Sequence, residues 1–381
     1  MEPYASLSRA LDSAGRAHPT LLIDANRLDA NLQRLKTRQL PQSLRLVVKS
    51  LPSLPLLDTC MAVLDTRRLM SFHAPFLAQL LERYQDVDIL LGKPLPAAAV
   101  RQLLTRFRMQ PERLEQVQWL VDSEQRLAQY RALAEELGLT LRIAVEINVG
   151  LQRGGLDQPQ RLATLAAAID GSAELRFTGL MGYDAHTAKA PGGPARALAA
   201  ANRRYRDFLA VCDRAPDSLT LNGAGSPTHV LHDRDSPLND VSLGSVLLKP
   251  ADFDLPQLAE YQPACWIATP VLKRQPGVSV PFLSAWTRLT SRLPGQRRDS
   301  LFLYGGRWMA KPDWPRGMAP HALYGLSSNQ QLMTVPARSE IAVDDWAFFR
   351  PTQSEAVLLQ FGDLQVARDG VLREQWPVLR N

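Results

Sequence analysis

A lysine closes a short β-rich run, Arg45-Leu-Val-Val-Lys49-Ser50, and a turn of small residues, Asn222-Gly-Ala-Gly-Ser-Pro-Thr228, follows another run far downstream. A primary amine at the carboxyl end of a barrel strand can form a Schiff base. A turn built from Ala224 and Gly225 lets backbone N–H groups approach a phosphate, with Asn222, Ser226 and Thr228 supplying side-chain donors. An imine-forming amine paired with a phosphate turn points to pyridoxal 5'-phosphate.

Two further stretches carry reactive types. Glu146-Ile-Asn-Val-Gly150-Leu-Gln-Arg153-Gly154-Gly155 holds an arginine among glycines, so Arg153 can come close to a ring or carboxylate. Gly182-Tyr183-Asp184-Ala185-His186 offers Tyr183 to donate to a cofactor or lie against it. His186 can exchange a proton with substrate, and Asp184 is a second acid–base candidate. His229 and His232 are spaced to share a helical face but lack a nearby third ligand, so no metal site is assigned.

The elements that must position these residues read as a repeating unit. Apolar runs at residues 20–23, 44–48, 69–72, 87–91, 117–121, 141–147, 175–181 and 218–221 alternate with amphipathic patterns such as 27–38, 124–137 and 194–212. Apolar strands with crossover helices predict a parallel sheet covered by helices, and eight units predict an α/β fold, a (β/α)8 TIM-type barrel. On this reading Lys49 ends strand two, and the 222–228 turn follows strand eight. After about Gly244 prolines and short β runs take over, at 264–272, 300–304, 347–349, 356–359 and 364–366, predicting a β domain. The expected division is an amino-terminal segment 1–18 packing on the β domain, a barrel over 19–245 and the β domain over 246–381.

Lys and Arg total 44 against 38 Asp and Glu, a net charge of +6. The arginines are scattered beside acids, as in Glu82-Arg83, without a basic block interleaved with aromatics, so no nucleic-acid partner is expected. No apolar run reaches the roughly 18–20 residues that span a bilayer, and the start Met1-Glu-Pro-Tyr-Ala lacks a signal-peptide pattern. Cys60, Cys212 and Cys265 lie far apart, which excludes a disulfide framework and favours a cytoplasmic protein.

At these residues the chain resembles the fold type III pyridoxal-phosphate enzymes, an alanine-racemase-like barrel followed by a β domain. It resembles the D-threonine aldolase and eukaryotic-type D-serine dehydratase branch more than the alanine racemases. Lys49 matches the family's strand-two lysine, which carries the cofactor. Gly150-Leu-Gln-Arg153-Gly-Gly155 is similar to its Gly-x-x-Arg-x-Gly loop, which sets an arginine beside the pyridine nitrogen. Gly182 to His186 resembles Gly-Tyr-x-Gly-His with Ala185 in place of glycine, and Ala224 to Thr228 resembles the Gly-Gly-Thr-Pro-Thr phosphate turn. The resemblance implies a homodimer acting on small, D-configured β-hydroxy amino acids by aldol cleavage or dehydration.

The departures bear on mechanism. The family's His-x-Lys-Thr-His-Lys reads Val47-Val-Lys49-Ser50-Leu51-Pro52 here, and its late Pro-x-His metal motif reads Pro351-Thr-Gln353-Ser-Glu355. A neutral amide binds a transition metal weakly, so the expectation is that the family's divalent metal is lost. His186 or Asp184 would then do what the metal does at the β-hydroxyl. One rival is an amino-acid racemase, with Tyr304, Tyr324 or His321 as a second base. The other is a non-catalytic pyridoxal-phosphate-binding protein, which the extra β domain argues against.

Overall fold

In a computed structural model residues 3–277, 298–321 and 324–381 are described. They fall into two compact units, one within 32–246, 255–260 and 379–381, the other within 1–31, 247–254 and 261–378. The strands begin with β1 (Thr20–Asp24), β2 (Ser43–Val47), β3 (Arg68–Ser71), β4 (Asp88–Leu91) and β5 (Val117–Val121). They continue with β6 (Leu141–Glu146), β7 (Leu175–Gly182), β8 (Thr220–Gly223) and β9 (Asp240–Leu243).

Strands β2 to β9 close a parallel barrel, with β9 pairing back onto β2 through Ser43–Asp240 and Leu46–Leu243. Every residue of β5 is buried, as expected where a helix layer covers one face and the barrel interior the other. The covering helices stop where their sequences say they should. Helix Glu124–Leu137 starts on the Ser123 hydroxyl, which accepts from the Arg126 N–H, and ends at Gly138 with φ +63°.

The barrel's strand count is as read from the sequence, but its membership is not. Thr20–Asp24 was the expected first barrel strand. It lies instead in the sheet of the other unit, antiparallel to β10 (Cys265–Gln275) through Leu22–Trp266 and parallel to residues 365–367. The missing eighth barrel strand is β9, Asp-Val-Ser-Leu, which no apolar-run criterion selects. Its Asp240 and Ser242 are buried because the barrel interior is polar at that level. Lys49 therefore follows the first barrel strand, and the 222–228 turn follows the seventh.

That interior is an ion network. Arg45 is 0% exposed, and its guanidinium donates to Asp240 (2.8 and 3.0 Å) and to Asp88 (2.7 Å). Arg68 and Arg142 add ion pairs to Asp240 and Asp88, both at 2.8 Å. The Gln118 amide donates to Asp88 and, across the barrel, to Thr220. Burial alone would raise the Asp88 carboxyl, but Arg45 and Arg142 outweigh it and hold Asp88 below its ordinary range.

In the other unit β1, β10 and their neighbours form a nine-stranded sheet. Leu7 and Leu11 of helix α1 (Tyr4–Ser13) pack with Leu22, Trp266, Trp346 and Phe348 into its core. Asp313 accepts from both the Tyr4 hydroxyl and the Trp266 indole at 2.7 Å. Residues 356–359, expected as a strand, form a turn in which Val357 and Leu358 donate to the Ser354 carbonyl. Val357 and Leu358 are buried there without β pairing, while Leu359 is exposed.

Candidate functional site

Lys49 sits in a single 3-10 turn, Val48–Ser50, directly after β2. Its amine lies 4.5 Å from the centre of the Phe72 ring, a cation–π distance, and Phe72 follows β3. Gly92, after β4, is what makes room for that ring, since a Cβ there would fall 2.1 Å from Phe72 Cζ.

The small-residue turn is joined to the lysine turn by hydroxyls. Ser226 Oγ accepts the backbone N–H groups of Gly244 and Val246, both at 3.1 Å. Between them Ser245 Oγ donates to Ser50 Oγ at 2.9 Å, next to Lys49. The backbone N–H groups of Gly225, Ser226 and Ser245 are left without a protein acceptor among the described residues. Three such donors, in a network that reaches Ser50 next to Lys49, are the donor set a phosphate needs. The sequence reading missed Gly244 and Ser245, because they follow the strand it did not find. Ala224 takes the left-handed conformation at φ +60°, where the resembling turn carries glycine.

The loop after β7 covers this turn. The Tyr183 ring lies over Gly225, whose Cβ would meet Tyr183 Cε2 at 2.7 Å, so only glycine fits. The Arg153 guanidinium sits 5.1 Å from the centre of the same ring, on its other neighbour loop. His186 packs on Gly150, where a Cβ would come 2.9 Å from Nε2, and its buried Nδ1 has no hydrogen-bond partner among the described residues. The glycines flanking Arg153 thus serve packing: Gly150 admits His186 and Gly154 admits Glu146.

Three nominated residues are spent on structure: Asp184, Asn222 and Thr228, whose hydroxyl is buried and turned to Asp184 rather than offered to a phosphate. Asp184 is 3% exposed, and both its oxygens are taken. One accepts from the Thr228 hydroxyl and the other pairs with His232 Nε2, each at 2.7 Å. His232 Nδ1 meets Ser236 Oγ at 2.8 Å, so the imidazole bridges the two ends of one loop. Asn222 turns its amide into the barrel, donating to Asp240 and to Ser242 Oγ (2.9 Å), away from the turn it precedes.

The family model described as "Alanine racemase, N-terminal domain" matches residues 23–251, more than half the chain. The chain belongs to the alanine racemase N-terminal domain family. No curated protein matches. Solved structures share the fold at low identity. D-threonine aldolase from Filomicrobium marinum is 18% identical, covers 95% of this chain and 94% of its own, and has a TM-score of 0.77. D-threo-3-hydroxyaspartate dehydratase from Delftia sp. HT23 is 16% identical with coverage of 95% and 97% and a TM-score of 0.72. An alanine racemase from Clostridium difficile 630 is 14% identical with coverage of 94% and 98% and a TM-score of 0.70.

This is a fold type III pyridoxal-phosphate family, and the residues present fit its cofactor: a lysine amine, an unengaged set of N–H donors and an aromatic ring over glycine. Among the described residues no group of three or more His, Cys, Asp or Glu side chains is placed to hold a metal. Gln353 instead donates to Asp252 at 3.3 Å. No helix among them is long and apolar enough to cross a membrane.

One electrostatic feature underpins the turn. Burial pushes the His229 imidazole down to about 4, and its Nδ1 donates to the Ser226 carbonyl at 2.9 Å. A histidine whose folded pKa is depressed adds stability above its unfolded pKa near 6.5, and loses it as pH falls towards 4. The unfolded chain binds the extra proton in that window, so acid destabilises the fold, by about 3 kcal/mol at most. Urea unfolding at pH 7 and pH 5 should show the loss, and His229→Asn should flatten it. Equal slopes for both proteins would exclude His229 as its source.

Proposed function

We propose that this chain is a pyridoxal-phosphate-dependent lyase that cleaves or dehydrates small, D-configured β-hydroxy amino acids without a divalent metal. The observation that carries the reading is the Ser50–Ser245 hydrogen bond, which ties the turn holding Lys49 to the residues that donate to Ser226, beside three unengaged N–H groups. Lys49 would hold the cofactor through its amine and, once displaced by the substrate's amine, serve as a base. Gly225, Ser226 and Ser245 would bind the phosphate, Tyr183 would lie against the cofactor, and Arg153 would face its ring nitrogen. The cofactor supplies the electron sink that weakens bonds at the substrate's α-carbon.

His186 is assigned the proton exchange at the β-hydroxyl, because its Nδ1 has no partner among the described residues. Metal independence is supported by the residue types at Gln353 and Glu355. Three free, buried cysteines fit a reducing cytoplasm, and the family resemblance supports a homodimer. Borohydride fixation of the bound cofactor, followed by peptide mapping, tests the cofactor and its lysine together. Turnover of D-threonine or D-3-hydroxyaspartate in the presence of a chelator tests the reaction. Label found elsewhere than Lys49, or α-carbon exchange without loss of substrate, would overturn it.

Asp184 is assigned a positioning role. Removing its carboxylate in Asp184→Ala leaves the Thr228 hydroxyl and His232 Nε2 without the partner they share, at a cost of about 3 kcal/mol. Asp184→Asn keeps an acceptor for Thr228, and His232 can change tautomer. The expected result is weakened fold and cofactor affinity in the alanine variant, with turnover largely kept in the asparagine one. A comparable collapse of kcat in Asp184→Asn, on the order of 10²-fold or more, would make Asp184 a proton-transfer group instead.

A further inference from the structure

Glu146 ends β6 on the face that carries Lys49, and none of the roles above uses it. Its carboxyl is half-buried and makes no side-chain hydrogen bond or ion pair among the described residues. It lies against Gly154, the residue next to Arg153, where a Cβ would stand 3.1 Å from Oε1 and 3.3 Å from Oε2. The charged groups that act on it are Asp122, from the loop after β5, and Arg153, from its own loop. Beyond Arg153 stands Tyr183, from the loop after β7, whose ring holds the guanidinium. An acid and an arginine therefore share a two-residue stretch of backbone without being paired, and the arginine is parked on an aromatic face instead.

We propose that Glu146 is a positioning residue for Arg153 that acts through its charge. Neutral, it leaves the guanidinium on the Tyr183 ring; ionised, it draws the guanidinium back over Gly154. Gly154 is what makes this exchange feasible, because any side chain there would wedge the two groups apart. The balance falls near neutral pH, since burial first and Asp122 second push the carboxyl up to about 7 while Arg153 pulls it down. What Arg153 does for a ligand rests on the cofactor reading above: with the guanidinium on Tyr183, the site presents a cation to an anionic pyridine compound such as pyridoxal phosphate. Drawn back, it presents less, so affinity falls as pH rises.

The sign for stability follows the same titration. A carboxyl with a raised folded pKa contributes fully below its unfolded value near 4.5, and that contribution is lost as pH rises through about 7. The first experiment uses the full chain stripped of cofactor. Melting temperatures from pH 5 to pH 9 are measured for the wild type, Glu146→Gln, Glu146→Asp and Arg153→Gln. The glutamine variant should equal the wild type near pH 5 and exceed it by about 3 °C at pH 8. The difference should grow from about pH 4.5 and level off above about 7. In an Arg153→Gln background that levelling point should move up, because the group that lowers it is gone, and Glu146→Asp should retain a titration.

The second experiment measures the dissociation constant of pyridoxal phosphate across the same range. Wild-type affinity should fall about tenfold between pH 6 and pH 8, the worth of roughly one pKa unit of differential interaction, and Glu146→Gln should hold it flat. A ligand-free difference curve that does not level off near 7, or one that Arg153→Gln leaves unmoved, overturns the coupling. A flat wild-type affinity overturns its effect on ligand. Absence of pyridoxal-phosphate binding overturns the cofactor reading alone, and the ligand-free titration still decides Glu146.

Discussion

Lys49→Ala is expected to abolish the visible absorption of the cofactor-loaded protein and to reduce turnover on the order of 10³-fold or more. That is the scale on which an enzyme loses the group that bonds to its reacting centre. The substitution is mild for the fold. Lys49 is only partly buried, its neighbours Val48 and Ser50 carry the packing of the turn, and the amine's contact is an aromatic face. A melting temperature close to wild type is therefore part of the expected result. It separates loss of chemistry from loss of structure. Lys49→Arg should fail in the same way, because a guanidinium keeps the charge over Phe72 and cannot form the imine. A persisting band in either variant would remove Lys49 from the site and with it the reading of this chain as an enzyme of that cofactor.

The second large effect lies under the site. Asp240→Ala should destabilise the barrel by about 3–5 kcal/mol, because it strips the buried Arg45 and the half-exposed Arg68 of a shared carboxylate. Arg45 cannot release its proton to relieve the burial, so the uncompensated charge remains. Arg45→Met combined with Asp240→Leu should cost much less than Asp240→Ala alone, since the desolvated charges leave together. The cycle of single and double variants, followed by urea unfolding, measures the coupling directly. Additive single effects would mean that water reaches the network and that it adds little. The Asp240 loss should also reach the site, because Asn222 is anchored on Asp240 and begins the 222–228 turn. Cofactor affinity is thus expected to fall in Asp240→Ala even under conditions where the barrel stays folded.

Much of this was legible in one dimension. Alternation of apolar β runs with amphipathic helices requires a parallel sheet closed by crossovers, and that periodicity gave the barrel and the later β-rich unit. Residue chemistry named Lys49, Arg153, Tyr183, His186 and the small-residue turn, because only certain types can form an imine, sit among glycines or admit a phosphate. The structure sets Tyr183 over Gly225, Arg153 over Tyr183 and His186 on Gly150, and ties Ser50, the neighbour of Lys49, to Ser245.

Three matters needed the third dimension. Thr20–Asp24 is as apolar as any barrel strand, and only pairing decides which sheet takes it; the register Leu22–Trp266 placed it with the β-rich unit. Asp240–Leu243 is half polar, and its burial makes sense only once Arg45 and Asn222 from other strands are seen to meet it. Asp184 and Glu146 are both acids at strand ends and look alike in the sequence. Packing separates them: one has every oxygen bonded and is fixed, while the other is half-buried, without a donor among the described residues, and is left to titrate. Sequence determines which groups exist and the period with which they repeat. Their desolvation and their partners depend on residues tens of positions away, and those are set only when the chain closes on itself.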